Sequence, residues 1–354
     1  MNIDKLTTDA VNLLCRMIEI PSTSRNEQEI ADMLEIVLHQ DYGMNIQRDG
    51  NNLWCMAPGY IPERPTLMLN AHIDTVKPSD SWTREPYHAT LEGDRIYGLG
   101  SNDDGASVVS LVQVFRELMH TSLPYNLILA LSAEEEVSGK QGMEHLLTLL
   151  PKIDVALVGE PTCMQPAIAE KGLMVMDLTA HGRAGHAARE EGDNAIYHAI
   201  EDITWLKDYQ FERTSPLLGP VKMSVTIVNA GTQHNVVPDK CTFTVDVRSN
   251  ELYSNEEIYE TVQNHVQSEV KARSFRLSSS RIDPQHPLVQ KIVSLGRTTF
   301  CSPTLSDQAL MRFPSLKMGP GNSSRSHSAD EYIVIDEISE AIAIYLSTLR
   351  DLTL

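Results

Sequence analysis

Three consecutive glutamates, Glu134 to Glu136, close the apolar run "NLILALSAEEE", and His72 with Asp74 closes "TLMLNAHID". Asp103 and Asp104 follow the glycine-rich "YGLGSNDDG" just ahead of a helical pattern, Glu160 ends "VALVGEP", and "LKMGPGNSSRSH" leads through a loop to His327. Imidazoles and carboxylates are the side chains that ligate metals and move protons. So many like charges at one place would repel unless a cation neutralised them, because carboxylates sharing a site cannot all stay ionised. A mixed imidazole and carboxylate set suits zinc, with manganese or cobalt as substitutes. Two such ions roughly 3.5–4 Å apart, joined by a shared carboxylate, would acidify water and polarise a carbonyl, both of which amide hydrolysis needs.

The elements that carry these residues decide whether they meet. "TLMLNAHID", "LILALSAEEE" and "VALVGEPT" are short runs apolar on both faces, as strands buried between helix layers are. They alternate with helical patterns such as "DDGASVVSLVQVFRELMH", and Ser24 with Glu27 reads as a capping box opening another helix. The implied fold class is α/β, a mostly parallel sheet with helices on both faces. In such sheets ligands gather beyond the carboxyl ends of the strands, which is where these acids and histidines stand.

From Gly172 the order becomes strand, helix, strand, strand, helix, strand, the last strand assigned to "SFRLSSSRI", and the α/β style resumes after Pro284. That order is the split-βαβ, ferredoxin-like unit, with a second capping box at Ser254 and Glu257. The expected organisation is a discontinuous catalytic domain over residues 1–171 and 284–354, with an α+β lid or dimerisation domain over 172–283 inserted into it.

The formal net charge of −19, with a pI of about 5.0, argues against a nucleic-acid or anionic-membrane surface. The five cysteines are scattered without CxxC spacing, which suggests neither a disulfide framework nor a thiolate zinc site and fits a reducing cytoplasm. No apolar run approaches the roughly 20 residues of a membrane span, and no GxSxG elbow supports a serine hydrolase.

The motifs "NAHIDTV", "YGLGSNDDG", "SAEEEVSG", "VGEPT" and "SRSH", in this order over nearly the whole chain, resemble those of the dinuclear-zinc deacylase and exopeptidase family. That family includes acetylornithine deacetylase, succinyl-diaminopimelate desuccinylase, aminoacylases and dipeptidases. The resemblance implies that His72, Asp103 and Glu160 bind one zinc while Asp103, Glu136 and His327 bind the other, Asp103 bridging. It implies a cis peptide after the bridging aspartate, Glu135 as the general base, and Asp74 as the partner that orients His72. One departure stands out: relatives often read "DxKG" after the bridging aspartate, where this chain reads "DDGAS" and lacks the lysine.

In the inserted domain, the "GH" of "HGRAGHAA" matches the family's lid histidine, so the resemblance assigns to His186 a hydrogen bond to the developing oxyanion, given from the partner subunit in dimeric relatives. Asn235 in "GTQHNVVPDK" and Arg248 in "VDVRSN" fall where relatives contact substrate. An arginine fork suits a substrate carboxylate, and Gly319 and Gly321 of "GPGN" offer backbone N–H groups to it. The expected activity is hydrolysis of an N-acyl amino acid by a cytoplasmic homodimer, first of the acetylornithine deacetylase type in arginine biosynthesis. The alternatives are a desuccinylase, an aminoacylase or dipeptidase, and an inactive metal-binding homologue.

Overall fold

The apolar runs become strands because every one of their residues is enclosed. In the computed structural model, which describes residues 2–354, Thr66–His72 and Asn126–Ser132 are buried along their whole length. The chain divides into two units, the first formed by the sequence up to Ile168 with Ile282–Phe300 and Ser306–Leu354, the second by Ala169–Arg281 with Cys301–Leu305.

In the first unit the helices Ile3–Ile18 (α1), Gln28–Ile36 (α2), Ala106–Leu118 (α3) and Met143–Leu149 (α4) accompany the strands Asn52–Met56 (β1), Thr66–His72 (β2), Asn126–Ser132 (β3) and Val155–Val158 (β4). The middle of the sheet runs β1, β3, β2, β4 and then Ser315–Lys317, these strands all parallel except β1. One face packs on α3, which α1 and the C-terminal helix Ile335–Leu349 back. On the other, Met68, Ile128, Ala130, Ala156 and Val158 meet Met143 and Leu146 of α4. Each fully buried Val, Leu, Ile or Met side chain contributes roughly 1.5–3 kcal/mol. Register then sets the site: His72 pairs with Ser132, and Asn70 and Lys317 each pair with Val158, so the residues just beyond each strand emerge at one edge.

The second unit is an antiparallel sheet of Met174–His181 (β5), Lys222–Ala230 (β6), Lys240–Arg248 (β7) and Glu269–Ala272 (β8), in the order β6, β7, β5, β8. Helices Ala195–Asp208 (α5) and Asn255–His265 (α6) cover one face through Ala195, Ala199, Leu206, Ile258 and Val262. This is the ferredoxin-like βαββαβ arrangement. Its last strand is not where the sequence placed it: of "SFRLSSSRI" only Ser280–Arg281 is strand, and β8 begins in what read as the last two residues of the preceding helix and runs two residues past them. The reason is a short alternation, exposed Glu269, buried Val270, exposed Lys271, hidden among charged residues. The Ser254 and Glu257 capping box forms as expected.

The Ser24 and Glu27 box does not form. Glu27 stands at the cap of α2, but neither residue's side chain caps the helix, both being drawn toward other partners. All five cysteines are free thiols. Among the described residues no helix is long and apolar enough to cross a membrane.

Candidate metal centre

Where β3 ends, the chain enters a tight turn. Glu134 has a φ of +57°, and Glu135–Val137 form one 3-10 turn. Four consecutive N–H groups at the start of the turn find side chains elsewhere in the chain. Ala133 donates to Asn52 Oδ1 at 3.0 Å and Glu134 to Glu27 Oε1 at 3.2 Å. Glu135 and Glu136 donate to Asp74 Oδ1 and Oδ2 at 3.0 and 3.1 Å. Gly139 closes the turn with its N–H on the Glu134 carbonyl, and a Cβ there would lie 1.8 Å from Glu134 Oε2. Glu134 itself carries a half-buried carboxylate that accepts from the Gln141 N–H at 3.4 Å.

Asp74 also takes a hydrogen bond from Ser24 Oγ at 2.7 Å, and its carbonyl lies 3.0 Å from His72 Nδ1. A proton on Nδ1 leaves Nε2 of His72 as a lone-pair donor facing Asp103 Oδ1 at 3.2 Å. Asp103 Oδ2 lies 3.7 Å from His327 Nε2, which contacts Glu136 Oε2 at 2.9 Å. The peptide between Asp103 and Asp104 is cis. Glu331 holds this segment, accepting from the N–H groups of Gly100, Asn102 and Asp103 at 3.2, 2.8 and 2.9 Å. Two groups offer ligand atoms within 4.8 Å of one another: His72 with Glu135 and Glu160, and His72 with Asp103 and Glu136.

The electrostatics are those of crowded anions. Burial, with Glu160, Asp307 and Glu136 nearby, drives Glu135 well above the usual carboxylate range. Burial, with Asp103 and Asp104, does the same to Glu160, which Lys317 partly offsets. Asp104 is pushed up to about 8 by burial and by Asp103, and its buried Oδ1 has no partner. His327 is raised to about 9 by its hydrogen bond to Glu136. Protons or cations must compensate such a set, and two imidazoles with several carboxylates are a donor set suited to divalent metal.

Of the remaining sequence-predicted residues, His186 and Asn235 belong to neighbouring segments. Gly185–His186 pairs with Val236–Val237, and the Ala187 N–H donates to the Asn235 carbonyl at 3.0 Å. The Ala188 N–H donates to His186 Nδ1 at 3.1 Å, which in the neutral ring places the proton on the exposed Nε2. The Arg248 fork is engaged, with Nε and Nη2 on Asp246 at 2.8 and 3.1 Å. Gly319 has its N–H committed to Thr162 Oγ1 at 3.1 Å, so it does not offer it to a ligand as expected. A Cβ on Gly319 would come within 2.6 Å of the Glu160 carbonyl, and one on Gly321 within 2.3 Å of Asn102 Oδ1, so both glycines answer close packing.

Four residues at the site were not singled out for it from the sequence. Ser24 and Glu27 had been read as a helix cap. Glu331 has only its place four residues after His327 to mark it. Asp307 accepts from Ser132 Oγ at 2.5 Å, next to the glutamate turn, and burial pushes it up to about 6.

Peptidase family M20/M25/M40 matches residues 68–351. The succinyl-diaminopimelate desuccinylase of a Wolbachia pipientis strain is 23% identical, covering 97% of this chain and 93% of its own. The acetylornithine deacetylase of Klebsiella pneumoniae is 26% identical, covering 90% and 91%. Among solved structures, a tripeptidase of Staphylococcus aureus superposes with a TM-score of 0.76 at 20% identity, covering 97% and 98%. A dinuclear metal-binding peptidase of Bacillus subtilis gives 0.75 at 17%, covering 98% of both chains.

Proposed function

Because the chain belongs to peptidase family M20/M25/M40, and so to the metal-dependent hydrolases, we propose that it cleaves the amide bond of a small N-acyl amino acid, N-acetylornithine being the first candidate. The observation that carries the reading is the placement of Asp103 between His72 and His327, with the half-buried Glu135 beside the same cluster. In this reading His72, Asp103 and Glu160 hold one divalent ion and Asp103, Glu136 and His327 the other, zinc before cobalt or manganese. The oxygen contacts of Asp103 to both imidazoles favour it over Asp104 as the shared ligand.

Bound metals would supply Lewis acidity, making the attacking water more acidic and the scissile carbonyl more electrophilic. Glu135 accepts the proton of that water and returns it to the nitrogen of the departing amine. Desolvation, with Glu160, Asp307 and Glu136 nearby, raises its proton affinity above that of an ordinary carboxylate, the direction that lets one group serve as base and then acid. Asp74 keeps His72 and the glutamate turn aimed. His186, from the lid of the same or a partner subunit, gives its Nε2–H to the developing oxyanion. Asn235 and Arg248 bind the substrate, Arg248 exchanging part of its contact with Asp246 for the substrate carboxylate.

A desuccinylase is the second reading, favoured by the relative matched over 97% of the chain. The deciding experiment is a hydrolysis panel of N-acetylornithine, N-succinyl-diaminopimelate, simple N-acyl amino acids and dipeptides, with added zinc or cobalt and Glu135→Gln as control. Cleavage of N-acetylornithine above the rest supports the first reading. Two bound metals with no hydrolysis of any member would refute it. A cytoplasmic homodimer joined through the second unit, acting in arginine biosynthesis, completes the proposal. Exposed Ile227 and Val228 on β6, with exposed Tyr197 and Ile200 on α5, support that interface.

A further inference from the structure

Asp74 alone does not hold the glutamate turn. The N–H of Glu134 ends on Glu27, a carboxylate from a distant part of the chain that is 0% exposed. Glu27 Oε1 also accepts from the Arg25 N–H at 2.6 Å, and Oε2 from Asn51 Nδ2 at 3.0 Å. Although Glu27 stands at the cap of α2, its side chain makes no bond to that helix. A buried carboxylate is costly to keep, and this one forgoes the capping role its position offers, so its worth lies in what it does hold. What it holds is a residue at φ +57°, a left-handed conformation that is unfavourable for a non-glycine residue and persists only when its surroundings enforce it. The next two residues are Glu135 and Glu136, and their side-chain directions are set by that backbone.

We propose that Glu27 is a positioning residue for hydrolysis: by fixing the Glu134 N–H it sets the directions in which Glu135 and Glu136 leave the turn. This inference rests on the reading of Glu135 and Glu136 given above. Asn51 serves by orienting the Glu27 carboxylate, and the three glutamates become one unit clamped between Glu27 and Asp74.

The test compares the full-length wild type with Glu27→Ala, Glu27→Asp, Glu27→Gln and, as a control on the exposed surface of α2, Glu29→Gln. Cobalt titration of the chelator-treated proteins, followed by visible absorption, reads metal affinity. The kcat and KM on the best substrate of the panel are measured well below the melting temperature. Glu27→Ala is expected to weaken one of the two metals and to lower kcat, each about 10–100-fold, the usual effect of losing a partner behind a ligand, with KM little changed. Glu27→Asp withdraws the acceptor by one methylene while keeping the charge, and behaves like alanine. Glu27→Gln keeps an acceptor for the Glu134 N–H and recovers most of both quantities, while Glu29→Gln matches the wild type. A Glu27→Ala or Glu27→Asp protein with a lowered melting temperature but wild-type metal affinity and kcat would overturn the assignment. A wild type that takes up no cobalt would overturn the metal reading and this one with it.

Discussion

Asp74 and Glu135 are joined side chain to backbone, Asp74 Oδ1 accepting the Glu135 N–H at 3.0 Å while Oδ2 takes the Glu136 N–H at 3.1 Å. The Asp74 carbonyl meanwhile faces His72 Nδ1 at 3.0 Å. One aspartate therefore sets the direction of an imidazole and two glutamates at once.

Replacing Asp74 with alanine leaves two N–H groups without acceptors. An unsatisfied buried group costs about 1–3 kcal/mol, and loss of a ligand's partner lowers metal affinity or activity about 10–100-fold. Asp74→Ala is expected to lose both stability and kcat/KM. Asp74→Asn keeps one carbonyl acceptor but turns an NH2 toward the other N–H, and falls between. Urea unfolding and kinetics on the same samples check this, and wild-type activity in Asp74→Ala would contradict it.

Glu135→Gln separates proton transfer from assembly of the site. The amide is nearly the same size and its N–H to Asp74 is unchanged, so the fold and uptake of metal are retained. General acid–base catalysis typically contributes 10²–10⁴-fold, and kcat should fall by about that much. Metal analysis of the purified variant beside its kcat decides the matter, since an active Glu135→Gln protein would remove Glu135 from the proton path.

Asp307 gives the metal-free protein a pH dependence of known sign. Its folded value, about 6, lies above the ordinary 3.8, because burial and the nearby Asp74 charge outweigh the opposing pull of Ser132, His72 and Asn70. The stabilising contribution of its protonated form is present below pH 3.8 and is lost as pH rises through about 6. Asp307→Asn, which still accepts from Ser132 Oγ, has no such loss. The variant should therefore gain on the wild type between pH 4 and 7 by something of the order of 2–3 kcal/mol. Denaturant unfolding of both chelated proteins across that range tests it, and parallel profiles would rule it out.

The strands that aim the site were readable because a sheet buried on both faces leaves its apolar runs unbroken until their ends, which is where His72, Ser132 and Val158 stand. Local grammar failed where a long-range partner outbid it. "SRNE" satisfies the spacing of a capping box, yet Ser24 bonds Asp74 and Glu27 bonds Glu134, because buried N–H and carboxylate groups at the site have no water to turn to. Glu331 and Asp307 lie in irregular segments and act on residues far along the chain, so no period announces them. Arg248 was half legible: Asp246 lies two residues before it, on the same face of β7, close enough to engage the fork.

The second unit carries an exposed edge. β6 has one paired neighbour, β7, and its outer half shows Ile227 at 51% and Val228 at 53% exposure, while α5 shows Tyr197 at 67% and Ile200 at 52%. Edge strands in stable monomers are usually blunted by charge, proline or a bulge. The register shift between Val225 and Ile227 is the one irregularity here, and the residues beyond it, Val228, Asn229 and Ala230, carry no charge. A second copy meeting β6 edge to edge would pair those backbone groups and cover the apolar residues on strand and helix together. Ile227→Lys with Val228→Glu places charges on that edge without touching the core of the unit, so each monomer should keep its fold. Light scattering is expected to give a dimer for the wild type and a monomer for the double variant. If His186 acts across the interface, the monomer also loses most of its kcat while keeping both metals. A wild type that is monomeric and fully active would remove both the interface and any role of His186 between subunits.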